Sequence, residues 1–203
     1  MENNKVKITG FIKSGFELSH TVFGKKFYSS SISSCRDSGT EDIIPIIIPE
    51  DKIDNKIGNY MDKYVSIVGQ FHSYNYKSET DKKMLFQIFV KKMKVIEKDS
   101  DKDTNEVFLD GYICKEPVYR ETPLGRKIAD VLLAVNRPYG KTDYIPCIFW
   151  GRNAIMASMT KVGMHLAING RLQSRNYMKK KPNGTSEQRV AYEVSVNGLE
   201  VIE

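Results

Sequence analysis

The chain has 203 residues, 40% of them hydrophobic and 28% charged, a composition that folds and that suits one large domain or two small ones. A formal net charge of +6 gives a mildly basic surface, which attracts polyanions. The longest apolar run, Ile43 to Pro49, is far short of a bilayer span and the opening Met1 to Val6 has no apolar signal region, so no membrane or secreted protein is expected, but a cytoplasmic one.

Chain order is governed by an internal repeat. At a constant offset of 101, Asn4, Val6, Gly10 and Ile12 meet Asn105, Val107, Gly111 and Ile113, and Thr21, Gly24 and Lys26 meet Thr122, Gly125 and Lys127. Arg36 meets Arg137, and Asp42, Ile44, Pro45 and Ile47 meet Asp143, Ile145, Pro146 and Ile148. Ile67, Gly69, Ser73, Asn75 and Tyr76 meet Ile168, Gly170, Ser174, Asn176 and Tyr177. An insertion near Lys179–Gln188 then moves the last match, Val95-Ile96-Glu97 with Val201-Ile202-Glu203, to an offset of 106. Biased composition alone does not keep glycines and a proline in register. Each copy therefore reads as a domain, residues 1–97 and 105–203, joined by the polar linker 98–104 (KDSDKDT).

In the first copy, Ile43 to Ile48 (IIPIII) is apolar on both faces, the pattern of a strand buried on both sides. In the second, Val107–Ile113 is a β-prone strand, Thr122-Pro123-Leu124-Gly125 a turn, Lys127–Asn136 a second strand and Asp143–Trp150 a third. Asn153–Val162 has helical spacing, with Gly163 placed to end it. His165–Tyr177 is a long fourth strand, Lys180–Gly184 a hairpin tip and Arg189–Val196 a fifth strand. Five strands with a helix between the third and fourth is the order of an OB-fold barrel. The expected fold is all-β: two tandem five-stranded OB-fold barrels, each with a short helix between strands three and four.

The second copy resembles the bacterial-type single-stranded DNA-binding protein (SSB) family. The resemblance is carried by Asn105-Glu-Val-Phe-Leu-Asp-Gly-Tyr-Ile, by Glu116-Pro117 through Thr122-Pro123-Leu124-Gly125, by Leu133-Ala-Val-Asn-Arg-Pro138 and by Gly170-Arg-Leu-Gln-Ser-Arg-Asn-Tyr177. It implies single-stranded DNA binding and protection, in replication, recombination or repair, by a protein associated with the nucleoid. It also implies bases stacked on aromatics in the loop between strands two and three, on strand three and on strand four. The matching positions hold Tyr139, Tyr144, Trp150 and Tyr177. Four barrels acting together are implied as well, which a homodimer of this chain would supply, with replication or repair proteins as further candidate partners. Family members often end in an acidic tail that recruits such partners; this sequence ends at Val201-Ile202-Glu203, so that recruitment is expected to be absent or to fall to the first domain.

The residues support the same chemistry directly. Strand residues alternate faces. Ile145, Cys147 and Phe149 suit a barrel interior, which turns Tyr144, Pro146, Ile148 and Trp150 outward. With Leu166, Ile168, Gly170 and Leu172 inward, Arg171, Gln173, Arg175 and Tyr177 point outward together. Outward aromatics stack bases of any sequence at roughly 1–3 kcal/mol per base, and cations neutralise phosphates. The candidate cations are Arg126, Lys127, Arg137, Arg152, Arg171 and Arg175, with Lys179 and Lys180 of the Lys179-Lys180-Lys181 run.

The first copy departs from this pattern, with Ser38, Ile43 and Pro49 in place of Tyr139, Tyr144 and Trp150; Tyr76 alone keeps its aromatic. Its groove is expected to be covered by protein, in a structural or protein-interaction role, with Tyr74, Phe71 and His72 as a weak second platform. No catalysis, cofactor or metal is expected. His20, His72 and His165 lie far apart, and Cys35, Cys114 and Cys147 have no CxxC spacing and read as reduced thiols. Two rival readings are a primosome-like scaffold whose barrels bind proteins and a single-stranded RNA binder.

Overall fold

The structure, a computed structural model, describes residues 3–77, 82–98, 103–180 and 184–202. The N-terminal domain contains β1 (Asn4–Ile12), β2 (Glu17–Val22), β3 (Lys25–Cys35), β4 (Glu41–Pro49), β5 (Tyr64–Lys77) and β6 (Lys82–Val95). The C-terminal domain contains β7 (Asn105–Ile113), β8 (Val118–Glu121), β9 (Lys127–Arg137), β10 (Lys141–Trp150), helix α1 (Gly151–Ser158), β11 (His165–Lys180) and β12 (Ser186–Ile202). The hairpin tip at 181–183 and linker residues 99–102 lie outside the described residues.

Five strands close each barrel. In the C-terminal domain β7 pairs with β11 and β9, β11 with β12, β12 runs parallel to β10, and β10 pairs with β9. The N-terminal ring repeats this as β1, β5, β6, β4 and β3. The expected alternation holds on β10 for Ile145, Cys147 and Phe149, which are buried in the core, but Ile148, expected outward with Tyr144 and Trp150, is also buried at 5% exposure. Short β8 and β2 are additions to the five expected strands; each extends a hairpin arm outside the ring. The recurring glycines mark close strand crossings. A Cβ on Gly10 or Gly111 would strike the carbonyl of Ser33 or Ala134, and one on Gly69 or Gly170 that of Phe89 or Ser195.

The helix expectation needs correction in both copies. In the second, α1 starts earlier and ends at Ser158, where the hydroxyls of Ser158 and Thr160 donate to the carbonyls of Ile155 and Ala157 (2.7 and 2.6 Å) and compete with the helical ladder. Among the described residues of the first there is no α-helix, only a turn of 3-10 helix at Glu50–Lys52. There Asp54 Oδ1 accepts the N–H of Lys56 (3.0 Å), Asn59 Oδ1 accepts that of Met61 (2.9 Å), and Gly58 sits at φ +71°. These local turns leave no uninterrupted helical segment.

The two barrels form one twelve-stranded sheet across a pseudo-twofold axis. β1 and β7 pair antiparallel about Val6 opposite Val107, and the strand order on one side mirrors the other. Away from this seam the contacts are reciprocal. Asp42 Oδ1 accepts the backbone N–H of Ser174 (2.7 Å) while Arg36 Nη2 donates to the Ser174 carbonyl (3.1 Å). Asp143 Oδ1 accepts the backbone N–H of Ser73 (2.7 Å), and the N–H of Tyr144 donates to Ser73 Oγ (2.9 Å). Each carboxylate is fully buried and paired with its own arginine, Arg36 at 2.6 Å and Arg137 at 3.1 Å. The hydrogen bond to Asp42 raises the pKa of Arg36, whereas burial raises that of Asp143 despite Arg137 and Ser73. The linker is fastened at its end: Asp103 accepts from the Tyr64 hydroxyl (2.6 Å) and the Cys35 N–H (2.7 Å).

His72 completes the Asp143 side of the junction at 7% exposure, with Arg137 Nη1 3.3 Å from its Nδ1. Burial first, then the positive charges of Arg137 and Lys91, lower its pKa from 6.5 to about 4. The neutral ring is thus the folded form, and its contribution is complete above pH 6.5 and lost as pH falls towards 4. Replacing His72 by Gln should flatten the loss of stability across this window, measured by urea unfolding at a series of pH values. Asp42→Ala should cost about 3 kcal/mol at neutral pH, because it strands Arg36 and the Ser174 N–H, and the urea midpoint reports it.

Candidate nucleic-acid interface

On the C-terminal barrel β10 carries the expected aromatic face. Trp150 ends this strand beside buried Ile128 of β9, and its Nε1 donates to Ser195 Oγ of β12 at 3.1 Å. The indole is anchored at one edge and 38% exposed. Tyr144, on the same face about 20 Å along the strand at ~3.3 Å per residue, is 39% exposed. Tyr177 stands on the projecting β11 arm at 37% exposure. Tyr139 is 99% exposed at the β9–β10 turn, with φ +63°, a conformation uncommon for any residue but glycine.

The cations divide into two groups. Arg126 is exposed at the β8–β9 tip with Lys127 half-buried beside it, and Arg152 is exposed next to Trp150. Lys179 and Lys180 are exposed on the β11 arm. Arg175 lies 3.8 Å from Glu193 with its side chain 59% exposed. A groove of about 870 Å³ separates this arm from the β5–β6 arm and is lined by Pro146, Arg175, Tyr177 and Lys179 opposite Pro45 and Leu85.

Three other residues, the candidate cations Arg137 and Arg171 and the outward Gln173, are withdrawn from solvent instead. Arg137 is paired with Asp143 and lies over the Tyr74 ring at 5.3 Å. Arg171 is half-buried beside the Arg36–Ser38 loop, and burial followed by repulsion from Arg36 lowers its pKa. Gln173 is buried and donates to Glu193 at 2.7 Å. For Arg137 and Arg171 the cause is the N-terminal domain, which covers this end of the barrel with Tyr74, His72 and the Arg36–Ser38 loop, whereas Gln173 is taken up by Glu193 of its own domain.

In the N-terminal barrel Phe71 is in the core, fully buried, and is no platform residue. A row of rings that the sequence pattern missed crosses the outer face instead. His20 lies flat on Phe27 (4.9 Å, 5°), Phe27 leans on Phe89 (6.2 Å), and Phe89 stacks with His72 (5.6 Å, 20°), which meets Tyr74 edge-on (6.1 Å). The signal was the alternation of Phe27 and Phe89 against the core residues beside them on β3 and β6. Phe27 is paired with Pro49 and Phe89 with Ile47, so together they roof the outer face of β4 where Trp150 stands in the other domain.

Among the described residues, no cluster of three or more His, Cys, Asp or Glu is placed to hold a metal ion, and no helix is long and apolar enough to cross a membrane.

Comparison with known proteins places this geometry. Residues 104–202 match the Single-strand binding protein family. The chain is 39% identical over 80 residues to Single-stranded DNA-binding protein 3 of Listeria innocua, covering 36% of this chain and 50% of that protein. It is 40% identical over 80 residues to Single-stranded DNA-binding protein A of Bacillus subtilis, covering 36% and 46%. The chain thus spans about half the length of these curated relatives. The crystal structure of the wild-type single-stranded DNA binding protein from Thermus aquaticus superposes with a TM-score of 0.78 at 18% identity, over 98% of this chain and 93% of that one, and so shares the two-barrel fold. The C-terminal barrel, residues 104–202, belongs to the Single-strand binding protein family.

Proposed function

We propose that the chain binds single-stranded DNA without sequence preference and protects it during replication, recombination or repair, by binding and not by catalysis. The observation that carries this reading is the outer face of β10, where Trp150, anchored through Nε1 to Ser195, and Tyr144 are each more than a third exposed, in a domain of the Single-strand binding protein family. A ring held on one side and open on the other stacks an unpaired base without losing much side-chain entropy. Duplex DNA keeps its bases stacked inside and cannot use such rings. The exposed cations Arg126, Arg152, Arg175, Lys179 and Lys180 supply phosphate neutralisation. Two copies of the chain would bring four barrels together, and sedimentation as a homodimer is the expected result.

Titration with oligo-dT should quench the emission of Trp150, the only tryptophan, with an affinity that falls steeply as salt rises. Trp150→Ala and Tyr177→Ala should each weaken binding by about 1–3 kcal/mol without unfolding the domain. Unchanged affinity in both would place the DNA elsewhere. Arg175→Ala should lower the slope of log affinity against log salt by roughly one contact, whereas half-buried Arg171→Ala should leave it unaltered.

A further inference from the structure

The N-terminal barrel lacks aromatics at the positions used in the C-terminal one, but it does not lack aromatic surface. Ser38, Ile43 and Pro49 stand where Tyr139, Tyr144 and Trp150 stand in the other copy. The ring volume has moved to the flanking strands, with Phe27 on β3 and Phe89 on β6 meeting above β4. Pro49 and Ile47 are therefore covered, by a cover itself made of rings, but the strand is not buried on both faces throughout as its sequence leads one to expect, since Ile43 on the same face is 45% exposed.

The outer end of this row is open. His20 is exposed and lies flat on Phe27, the geometry a planar base adopts on a phenyl ring. Among the described residues its strand β2 pairs only with β3, with a register shift between Leu18 and His20, and no described strand packs on the outer face of the ring. Beyond it, Phe23 at the β2–β3 tip is as exposed as an isolated residue, 105%, and sits at φ +47°. An aromatic held in a left-handed conformation and pointed wholly into water has no role in packing. Tyr139 has the same two properties in the other barrel, so each domain offers one such ring on a hairpin turn. Lys25 and Lys26 follow the Phe23-Gly24 turn; Lys25 is 2.7 Å from Asp51, and Lys26 is exposed. The inner end of the row reaches Tyr74, over which Arg137 of the C-terminal domain lies. The rings thus run from a solvent-exposed tip to the domain junction.

We propose that Phe23 and the outer face of His20 form a second base-stacking surface, which takes the continuation of a single strand already held on the C-terminal barrel. The inference rests on the proposed DNA binding of that barrel. It assigns the N-terminal domain a direct part in binding, by residues that have no counterpart in the aromatic set of the C-terminal copy: position 124, equivalent to Phe23, is Leu, and position 121, equivalent to His20, is Glu.

The test uses the full chain. In the variant His20→Ala/Phe23→Ala both changes are at exposed side chains, and urea unfolding should match wild type. Binding is followed by Trp150 emission with oligo-dT of increasing length. Short oligonucleotides, within the roughly 4–16 nucleotides that one OB-fold occupies, should bind wild type and variant alike. Longer ones should bind wild type more tightly, and the variant should lose about tenfold of that gain. A variant that keeps the full gain overturns the proposal. In a second chain, Phe23→Trp with Trp150→Phe, the introduced indole reports the N-terminal surface directly. Quenching by a long oligo-dT supports the proposal, and unchanged emission overturns it. Absence of Trp150 quenching in wild type would instead refute binding on the C-terminal barrel, so the two failures are separately visible.

Discussion

A β-strand that runs past its neighbour leaves backbone N–H and C=O groups unpaired, and burying each without a partner costs about 1–3 kcal/mol. Two of the long strands of this molecule, β5 and β11, do so. β5 leaves β1 after Gly69 and β11 leaves β7 after Gly170. Side chains take over the vacated edges. Asn4 exchanges two hydrogen bonds with the Phe71 backbone and Asn105 does the same with Leu172. Two residues further on, Asp143 grips Ser73 and Asp42 grips Ser174, each from the opposite domain. The asparagine satisfies the edge within a domain, and the aspartate uses the next open position to join the domains. The mutual orientation of the two barrels, and hence of every surface aromatic, depends on this arrangement.

The same contacts explain why so much of the architecture was legible in the sequence. Asn4, Arg36, Asp42 and Ser73 recur at a fixed offset because each performs one task twice, and the paired glycines recur because a neighbouring carbonyl leaves no space for a side chain. Period-two alternation placed Tyr144 and Trp150 outward and Phe149 inward. Alternation fails where a face is covered by another domain. Arg171 is outward relative to its own barrel and still withdrawn from solvent beside the Arg36–Ser38 loop, and Arg137 answers to Asp143 and not to a phosphate. A repeat read one copy at a time shows which side of a strand a residue takes, but not whether a second domain lies on that side. The missing helix of the first copy has a local cause, the turn-forming Asp54, Gly58 and Asn59, and that signal was present in the sequence.

The candidate binding surface was harder to read in the N-terminal barrel because matched positions were the wrong guide. Comparing Pro49 with Trp150 registers a loss. The ring volume had moved one strand to either side, to Phe27 and Phe89, and such a move is visible only once β3, β4 and β6 are known to be neighbours.

The covalent fusion of two related barrels has one further consequence. When a twofold dimer is assembled from identical chains, every surface residue occurs in both halves, and a polymer with distinct ends meets the same contacts whichever way round it lies. Here the dyad is only approximate: an indole on one side faces a proline on the other, and a tyrosine tip answers to a serine. The two senses of travel across a single chain are therefore inequivalent, and the strand proposed to bind, with its 5′ and 3′ ends, would meet on each chain a surface that is itself directional.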